Sequence, residues 1–297
     1  MTKLIGKTFN QTPINTDLGS MAYQDENIQV NSIQLNSVPL LELLIKSFGA
    51  TYWFDVDDSM YTNRSGGLIT SCASKGNEFA ILTGTNASYD SYHGRIFWFS
   101  SGNVNAALYA SSLRKAWGYR SSYFIVAATT AADLNSNGGY FVDANVSARV
   151  SVSTDSFGGV IANGELSHYA GATAGYDDGN ANIGGRLASS TSGTDLTIHA
   201  VAGYIGNYNG IHGDTIRFCT LNRGSLTEHL INNSTASSTN TATELYWGNR
   251  FSLDRALANR KFAELIVFTD TMLNNQQYAI LEHYFKLKYA GNEFLSY

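Results

Sequence analysis

Lys261-Phe-Ala-Glu-Leu-Ile-Val-Phe-Thr-Asp270, running into Thr271-Met-Leu-Asn-Asn-Gln-Gln-Tyr-Ala-Ile-Leu-Glu-His-Tyr-Phe-Lys-Leu-Lys-Tyr289, is the stretch whose reading decides the fold. Phe262 to Phe268 is rich enough in β-branched and aromatic residues to lie in a pleated core. Beyond the turn the hydrophobic period changes from two to 3.6, because Tyr278, Leu281, Phe285 and Tyr289 recur on one helical stripe. Asn274 stands where it can cap the free amide groups of that helix, and Gln277 three residues later completes a capping box. Lys286 and Lys288 suit the negative helix end, and Gly291 marks the stop. The segment therefore reads as a strand, a tight turn and a closing helix.

Working outward, the chain has 28 Gly against 2 Pro, 12% aromatic residues and only 14% charged ones. Its middle is built of short apolar runs separated by Gly, Asn, Ser and Asp, which is an all-β signature. At 297 residues there is length for one large sandwich and an extension. Tyr123 to Ala128 is apolar at every position, as expected of a strand buried mid-sandwich, whereas Leu196 to Tyr204 alternates.

These segments carry a family likeness. The closing stretch resembles the end of concanavalin A-like, laminin-G-like jelly-roll domains. Tyr52-Trp-Phe-Asp-Val-Asp-Asp58 is similar to that family's opening LWLDASD strand, and Tyr123-Phe-Ile-Val-Ala-Ala128 to its central FTVFVVF strand. His199-Ala-Val-Ala-Gly203 followed by Ile216-Arg-Phe-Cys-Thr-Leu-Asn-Arg-Gly224 resembles the pair HVVAA and LYVNG, and Leu245-Tyr-Trp-Gly-Asn249 falls at the IGG strand. Order and spacing agree over residues 50 to 290. The resemblance implies an all-β, concanavalin A-like jelly-roll β-sandwich with an extended N-terminal arm and one C-terminal helix.

The first 45 residues differ in character, with no long amphipathic period. Ile28, Val30, Ile33 and Leu35 form short alternating pairs that cannot close a core alone, so this segment needs the sandwich, other copies or a larger assembly to order against. Leu18-Gly-Ser-Met-Ala-Tyr-Gln-Asp25 and the following Asn27-Ile-Gln-Val30 resemble the LGTMAYQDADNVNI stretches of bacteriophage tail-fibre and other virion structural proteins. In those proteins the phrase precedes interlocked, usually trimeric β-structure. The alternative is a strap packed on its own sandwich. The expected organisation is thus residues 1–45 as an attachment and oligomerisation arm and residues 46–297 as the jelly roll.

Composition narrows the chemistry. A net charge of −5 without any Lys/Arg cluster argues against a nucleic-acid partner. Pro39 to Ile45, the longest apolar run, contains Glu42 and is too short to span a bilayer, and no signal-peptide core precedes it, so a soluble chain without membrane insertion is expected. Cys72 and Cys219 lack metal-ligand spacing and read as two buried reduced thiols. The six histidines are scattered singly, without an HxH or HExxH pattern, and no cofactor or metal is expected.

Retaining glycosidases of this fold set two carboxylates on one strand, typically as ExDxxE, and that spacing is absent from the chain. Asp55 and Asp57 read as anchors of nearby backbone amides. Asp177, Asp178 and Asn180 lie in Gly175-Tyr-Asp-Asp-Gly-Asn-Ala-Asn182 and offer three of the roughly six to eight oxygens a hard cation needs, which fits a solvated turn better than a calcium site. Glycan recognition is the ligand chemistry left open, since sugars use flat aromatic faces flanked by Asn, Asp and backbone donors. Tyr169, Tyr176, Tyr204 and Tyr208 qualify, and Tyr176 with Asp177, Asp178 and Asn180 is the candidate site.

Together these readings predict a non-enzymatic virion structural protein, as capsid decoration, head fibre or tail-fibre component. Its arm would join major capsid or tail proteins and neighbouring copies, with a homotrimer expected, while the sandwich stabilises the particle or adheres to host surface glycans. Such a protein is assembled in the host cytoplasm and resides in the virion. The competing readings are a glycoside hydrolase or depolymerase with carboxylates from different strands, Glu264, Asp177 and Asp178 among them, and a free carbohydrate-binding lectin module.

Overall fold

In the computed structural model, Lys261–Phe268 is a strand hydrogen-bonded along both edges, and the sandwich assembles around it. The structure describes residues 29–30, 33–34, 37–92, 94–118, 121–129, 139–143, 150–154, 165–170, 183–186, 197–205, 207–208, 211–212, 214–220, 225–231, 241–249, 253, 256, 260–271 and 273–290. The chain divides into two compact units, Gly49–Met272 and the pair of segments Met1–Phe48 and Leu273–Tyr297.

Among the described residues of the larger unit, 17 strands join in one antiparallel network. The first seven are β1 (Tyr52–Asp55), β2 (Thr62–Ser65), β3 (Leu68–Ala73), β4 (Ile81–Thr85), β5 (Ser88–Tyr92), β6 (Arg95–Phe99) and β7 (Ala107–Ala110). Next come β8 (Ser121–Thr129), β9 (Gly139–Asp143), β10 (Val150–Thr154), β11 (Glu165–Ala170) and β12 (Ile183–Arg186). The last five are β13 (Thr197–Ile205), β14 (Asp214–Thr220), β15 (Ser225–Ile231), β16 (Leu245–Trp247) and β17 (Lys261–Phe268). One layer runs β1-β17-β8-β13-β14-β15, and the other runs β2-β3-β4-β7-β16-β9-β10-β11-β12. The β5–β6 hairpin joins them, because β6 pairs with β17 and β5 touches β3. The all-β sandwich read from the sequence is therefore the fold. Of the family-like segments, Tyr123–Ala128 lies within Ser121–Thr129, His199–Gly203 within Thr197–Ile205 and Ile216–Thr220 within Asp214–Thr220, while Tyr52–Asp58 is a strand over Tyr52–Asp55 and Leu245–Asn249 over Leu245–Trp247.

Alternation on the strands builds the core between the layers. Tyr52, Phe54, Tyr123, Ile125, Leu265 and Val267 come from one layer; Ile69, Cys72, Leu82, Leu108, Leu245 and Trp247 come from the other. All are essentially inaccessible to water. Rings cross-link this core, with Trp98 stacked on Phe262 at 5.0 Å and edge-on to Trp247 at 5.9 Å. The apolar area removed from water here is the main stabilising term. Gly248 follows β16 with φ of +78°, and a Cβ on it would run into the Trp98 ring.

Among the described residues of the smaller unit, the α-helices α1 (Val38–Ser47) and α2 (Asn275–Phe285) pack on each other. α1 begins inside the segment read as having no long amphipathic period. Pro39 occupies its first turn, where no amide donor is required, and Leu41 and Ile45 one turn apart are buried. At 10 residues it is too short to persist alone, so packing supplies its stability. α2 has the predicted capping box, in which Asn274 Oδ1 accepts from the Gln277 amide and Gln277 Oε1 accepts from the Asn274 amide, each at 2.9 Å. Its expected stripe of Tyr278, Leu281, Phe285 and Tyr289 is buried. Lys288 in the following π-helical turn donates to Tyr284 Oη at 3.0 Å, and Tyr284 Oη donates to Glu42 of α1 at 3.4 Å. Gly291 lies outside the described residues. Towards the N-terminus, Gln29–Val30 and Ile33–Gln34 pair as a two-residue ladder.

Replacing Gly248 by Ala should cost about 2–4 kcal/mol, because it combines a left-handed backbone with a clash against an immobile indole. Guanidinium unfolding of Gly248→Ala against the parent protein measures this. A change within about 0.5 kcal/mol would mean that the Trp98 contact yields freely.

Candidate functional site

The outward positions of the β2–β3–β4–β7–β16 layer gather one polar and aromatic row. Pairing registers place Asn63, Ser71, Thr83, Tyr109 and Tyr246 next to one another across five strands. Their strand neighbours Cys72, Leu82, Leu108, Leu245 and Trp247 point the other way into the core, so the row faces solvent. Asn63 and Thr83 are exposed, and Ser71, Tyr109 and Tyr246 are half-buried. The tyrosine rings stack almost parallel, with centroids 5.7 Å apart and planes 5° from parallel. Tyr246 Oη donates to Glu244 at 3.5 Å, and Asn63 Nδ2 donates to Ser71 Oγ at 2.9 Å. Two adjacent tall rings beside the short side chains of Thr83 and Ser71 form a wall above a polar floor.

Two residues along β4 from Thr83, on the same face, Ile81 opens an apolar extension of this floor. Ile81, Phe79, Ala80, Ser112 and Arg114 line an open cavity of about 540 Å³. Phe79 is 66% exposed and Ile81 48%, high values for large apolar side chains. The exposed Arg114 adds a cation with a forked donor array to the rim.

The acidic residues singled out from the sequence are distributed differently. Glu264 on β17 is wholly buried and accepts a hydrogen bond from the Trp53 indole. Asp55, directly across the ladder from Glu264, pairs with Lys75 at 2.7 Å, and both side chains are 3% exposed. Asp55 Oδ1 accepts from the Asp57 amide at 3.2 Å, and Asp57 Oδ1 accepts from the Ile96 amide at 3.0 Å, as the anchoring role requires. Asp57 also pairs with Arg95 at 3.0 Å. None of these carboxylates opens onto the tyrosine face.

Tyr176, Asp177, Asp178 and Asn180 lie outside the described residues. The backbones at Tyr169, Tyr204 and Tyr208 are in strands. Tyr109 and Tyr246 were not recognised from the sequence, although the signal is there in retrospect. Leu108-Tyr-Ala110 and Leu245-Tyr-Trp247 each place a tyrosine at the outward position of an otherwise apolar strand. Among the described residues, no group of three or more His, Cys, Asp or Glu side chains is placed to hold a metal ion. No helix among them is long and apolar enough to cross a membrane. Cys72 is a free, buried thiol that accepts from Thr62 Oγ1 at 3.4 Å, and Cys219 lies on β14.

No protein-family model and no curated protein sequence matches the chain. Among solved structures it is similar to the botulinum neurotoxin serotype D binding domain, with a TM-score of 0.52 and 11% identity over 79% of this chain and 51% of that one. The botulinum neurotoxin serotype C1 binding domain gives 0.51 and 11% over 80% and 52%. A GH54 α-L-arabinofuranosidase gives 0.45 and 13% over 79% and 59%. The chain spans about half the length of the two neurotoxin domains it matches. At 11% identity, the likeness to the two neurotoxin domains establishes the β-sandwich fold.

Burial pushes the Cys72 thiol from its ordinary 9.0 up to about 12, only partly offset by the Thr62 hydroxyl. The folded chain keeps this proton where the unfolded chain loses it. The associated stability is therefore complete below pH 9 and declines as pH rises from there towards about 12. Ellman's reagent at pH 8 should leave Cys72 unmodified in the native protein and label it on denaturation, as peptide mapping would show. Labelling of the native thiol within minutes would contradict its burial.

Proposed function

We propose that the chain is a non-enzymatic, glycan-binding adhesion module of a bacteriophage particle, attached to capsid or tail proteins by its N-terminal arm. The observation that carries the binding half is the stacked Tyr109–Tyr246 pair on a solvent-facing sheet, with Thr83, Ser71 and Asn63 in the same cross-strand row. The C–H face of a sugar ring packs against an aromatic flank, and its hydroxyls need short polar partners beneath. The wall and floor supply both. The cavity of Phe79, Ile81 and Arg114 lengthens the surface beyond a single sugar unit.

The non-enzymatic reading draws support from where the carboxylates lie. Glycoside hydrolysis needs two of them about 5–9.5 Å apart around an accessible bond. Glu264 and Asp55 are buried within hydrogen-bonded and ion-paired positions. On the tyrosine face, Glu244 accepts from Tyr246 and is a specificity contact in this reading.

The virion half rests on the phrase Leu18 to Asp25 and its likeness to phage structural proteins. An arm that joins copies would multiply weak sugar contacts through effective concentration, so each face requires only modest affinity.

Binding of the full chain to a glycan array, followed by calorimetry on the best hit, tests the first half. Tyr109→Ala and Tyr246→Ala should each lower affinity on the order of tenfold, about 1.4 kcal/mol. Thr83→Phe, an exposed position, should block the floor with little effect on melting. Unchanged affinity in all three variants would remove the site, and cleavage of the bound glycan would remove the non-enzymatic reading. For the second half, light scattering should give a trimer for the full chain and a monomer for a chain beginning at Ser37, which keeps α1. Monomers in both cases would refute the arm as a trimerisation device.

A further inference from the structure

We propose that Lys75 and Asp55 condense spontaneously to an intramolecular isopeptide bond, a covalent staple within the sandwich. Lys75 Nζ lies 2.7 Å from Asp55 Oδ2, and both side chains are 3% exposed. The lysine is enclosed further by the Trp53 ring, whose centroid is 4.6 Å from Nζ, while Asp58 is 3.7 Å away at 28% exposure. Glu264 is the register partner of Asp55, on the same side of the sheet, and is inaccessible to water. An amine, its acceptor carboxyl and a second carboxyl are thus held together in a dry, aromatic-lined site.

The arrangement supplies what amide formation requires. Proton transfer from ammonium to carboxylate converts the buried ion pair into a neutral amine and acid, which a low-dielectric site favours far more than water does. Nζ then attacks Cγ of Asp55. The Asp57 amide, which donates to Oδ1 at 3.2 Å, polarises the carbonyl and stabilises the developing oxyanion. Oδ2 departs as water when the Cγ–O bond breaks. Of the three ammonium protons, one stays on the amide nitrogen and two leave with that oxygen. Glu264 carries a proton between nitrogen and departing oxygen. Nothing is oxidised or reduced, net charge is unchanged, and no co-reactant enters.

Placement explains why the reaction would proceed here. Lys75 N donates to Trp53 O at 2.8 Å, Asn77 N to Ala50 O at 2.8 Å and Glu78 N to Thr51 O at 2.9 Å, so residues 75–78 line the free edge of β1. That edge pairing fixes both reactants on rigid backbone and makes their encounter effectively unimolecular. Condensation removes two buried charges, and exclusion of water opposes hydrolysis. The product closes a loop between residues 55 and 75 and locks the edge of the strand next to β17.

The test is the intact mass of the natively purified full chain, with fragmentation of its proteolytic peptides. A mass one water below that of the sequence, together with a branched peptide joining the Asp55 and Lys75 segments, is the expected result. Lys75→Ala should show its full sequence mass. Glu264→Gln, which retains both reactants, should accumulate the branched species more slowly over a time course after refolding. A native chain at full sequence mass overturns the proposal, as does a water deficit without the branched peptide, which would indicate a cyclic imide elsewhere. Equal rates in Glu264→Gln and the parent would overturn the role given to Glu264. The mass of the parent chain alone decides the central claim, even if a variant fails to fold.

Discussion

Strand β17 is the constraint on which the rest of this molecule depends. It has partners along both edges within its layer and a further pairing to β6, which turns toward the other layer. Seven of its eight residues are buried, so every partner must present a surface that tolerates complete desolvation. β8 meets that demand with apolar residues at every position from Tyr123 to Ala128. β1 meets it on one face with Tyr52 and Phe54 and on the other with Trp53 and Asp55. Because β17 carries Glu264 opposite Asp55, the polar groups on that second face must satisfy one another, and Trp53 and Lys75 do so.

The two layers consequently divide their duties. In the β17 layer, β1, β8 and β17 are buried on both faces, which suits stability. The β3–β4–β7–β16 layer is buried on one face only, and its outer positions are free to vary without cost to the core. The proposed recognition surface lies there. A charged residue at a buried position of β8 would open the core, whereas Tyr109 and Tyr246 are accommodated by stacking on each other.

Local patterns in the sequence carried the fold well, and long-range pairings were the part it concealed. The strand-turn-helix at the C-terminus was legible because its signals lie within a few residues: alternating burial, Asn274 and Gln277 at capping distance, and one helical stripe. α1 was less legible because its inward positions, Leu41 and Ile45, sit in a run that is apolar nearly throughout, so no single stripe stands out. Ser74-Lys-Gly-Asn77 reads as a turn, and only its pairing beside β1 makes Lys75 a buried residue. The same limit governs the tyrosine row. Tyr109 and Tyr246 are 137 positions apart, and their contact exists only because β7 and β16 are neighbours in register. Searching loops for aromatic residues beside Asn and Asp could not reach them, since the row is assembled by the sheet.

That origin has an energetic consequence for recognition. A loop-borne site must order its backbone and side chains on binding, at about 0.5–1.5 kcal/mol for each immobilised side chain, and this comes out of the affinity. On the sheet, the backbone of β7 and β16 is already fixed by its ladder and each ring is held by the other. Under the proposed function, a weak sugar contact there keeps most of its intrinsic free energy. The requirement is strict registry rather than flexibility, because a one-residue slip of β16 against β7 would send Tyr246 to the core and Trp247 to solvent. Gly248 enforces that registry from the end of β16, since only glycine can turn there beneath the Trp98 ring that packs against Trp247. The proposed binding face and the aromatic core are therefore coupled: the contact that seats Trp247 inward is the contact that points Tyr246 outward.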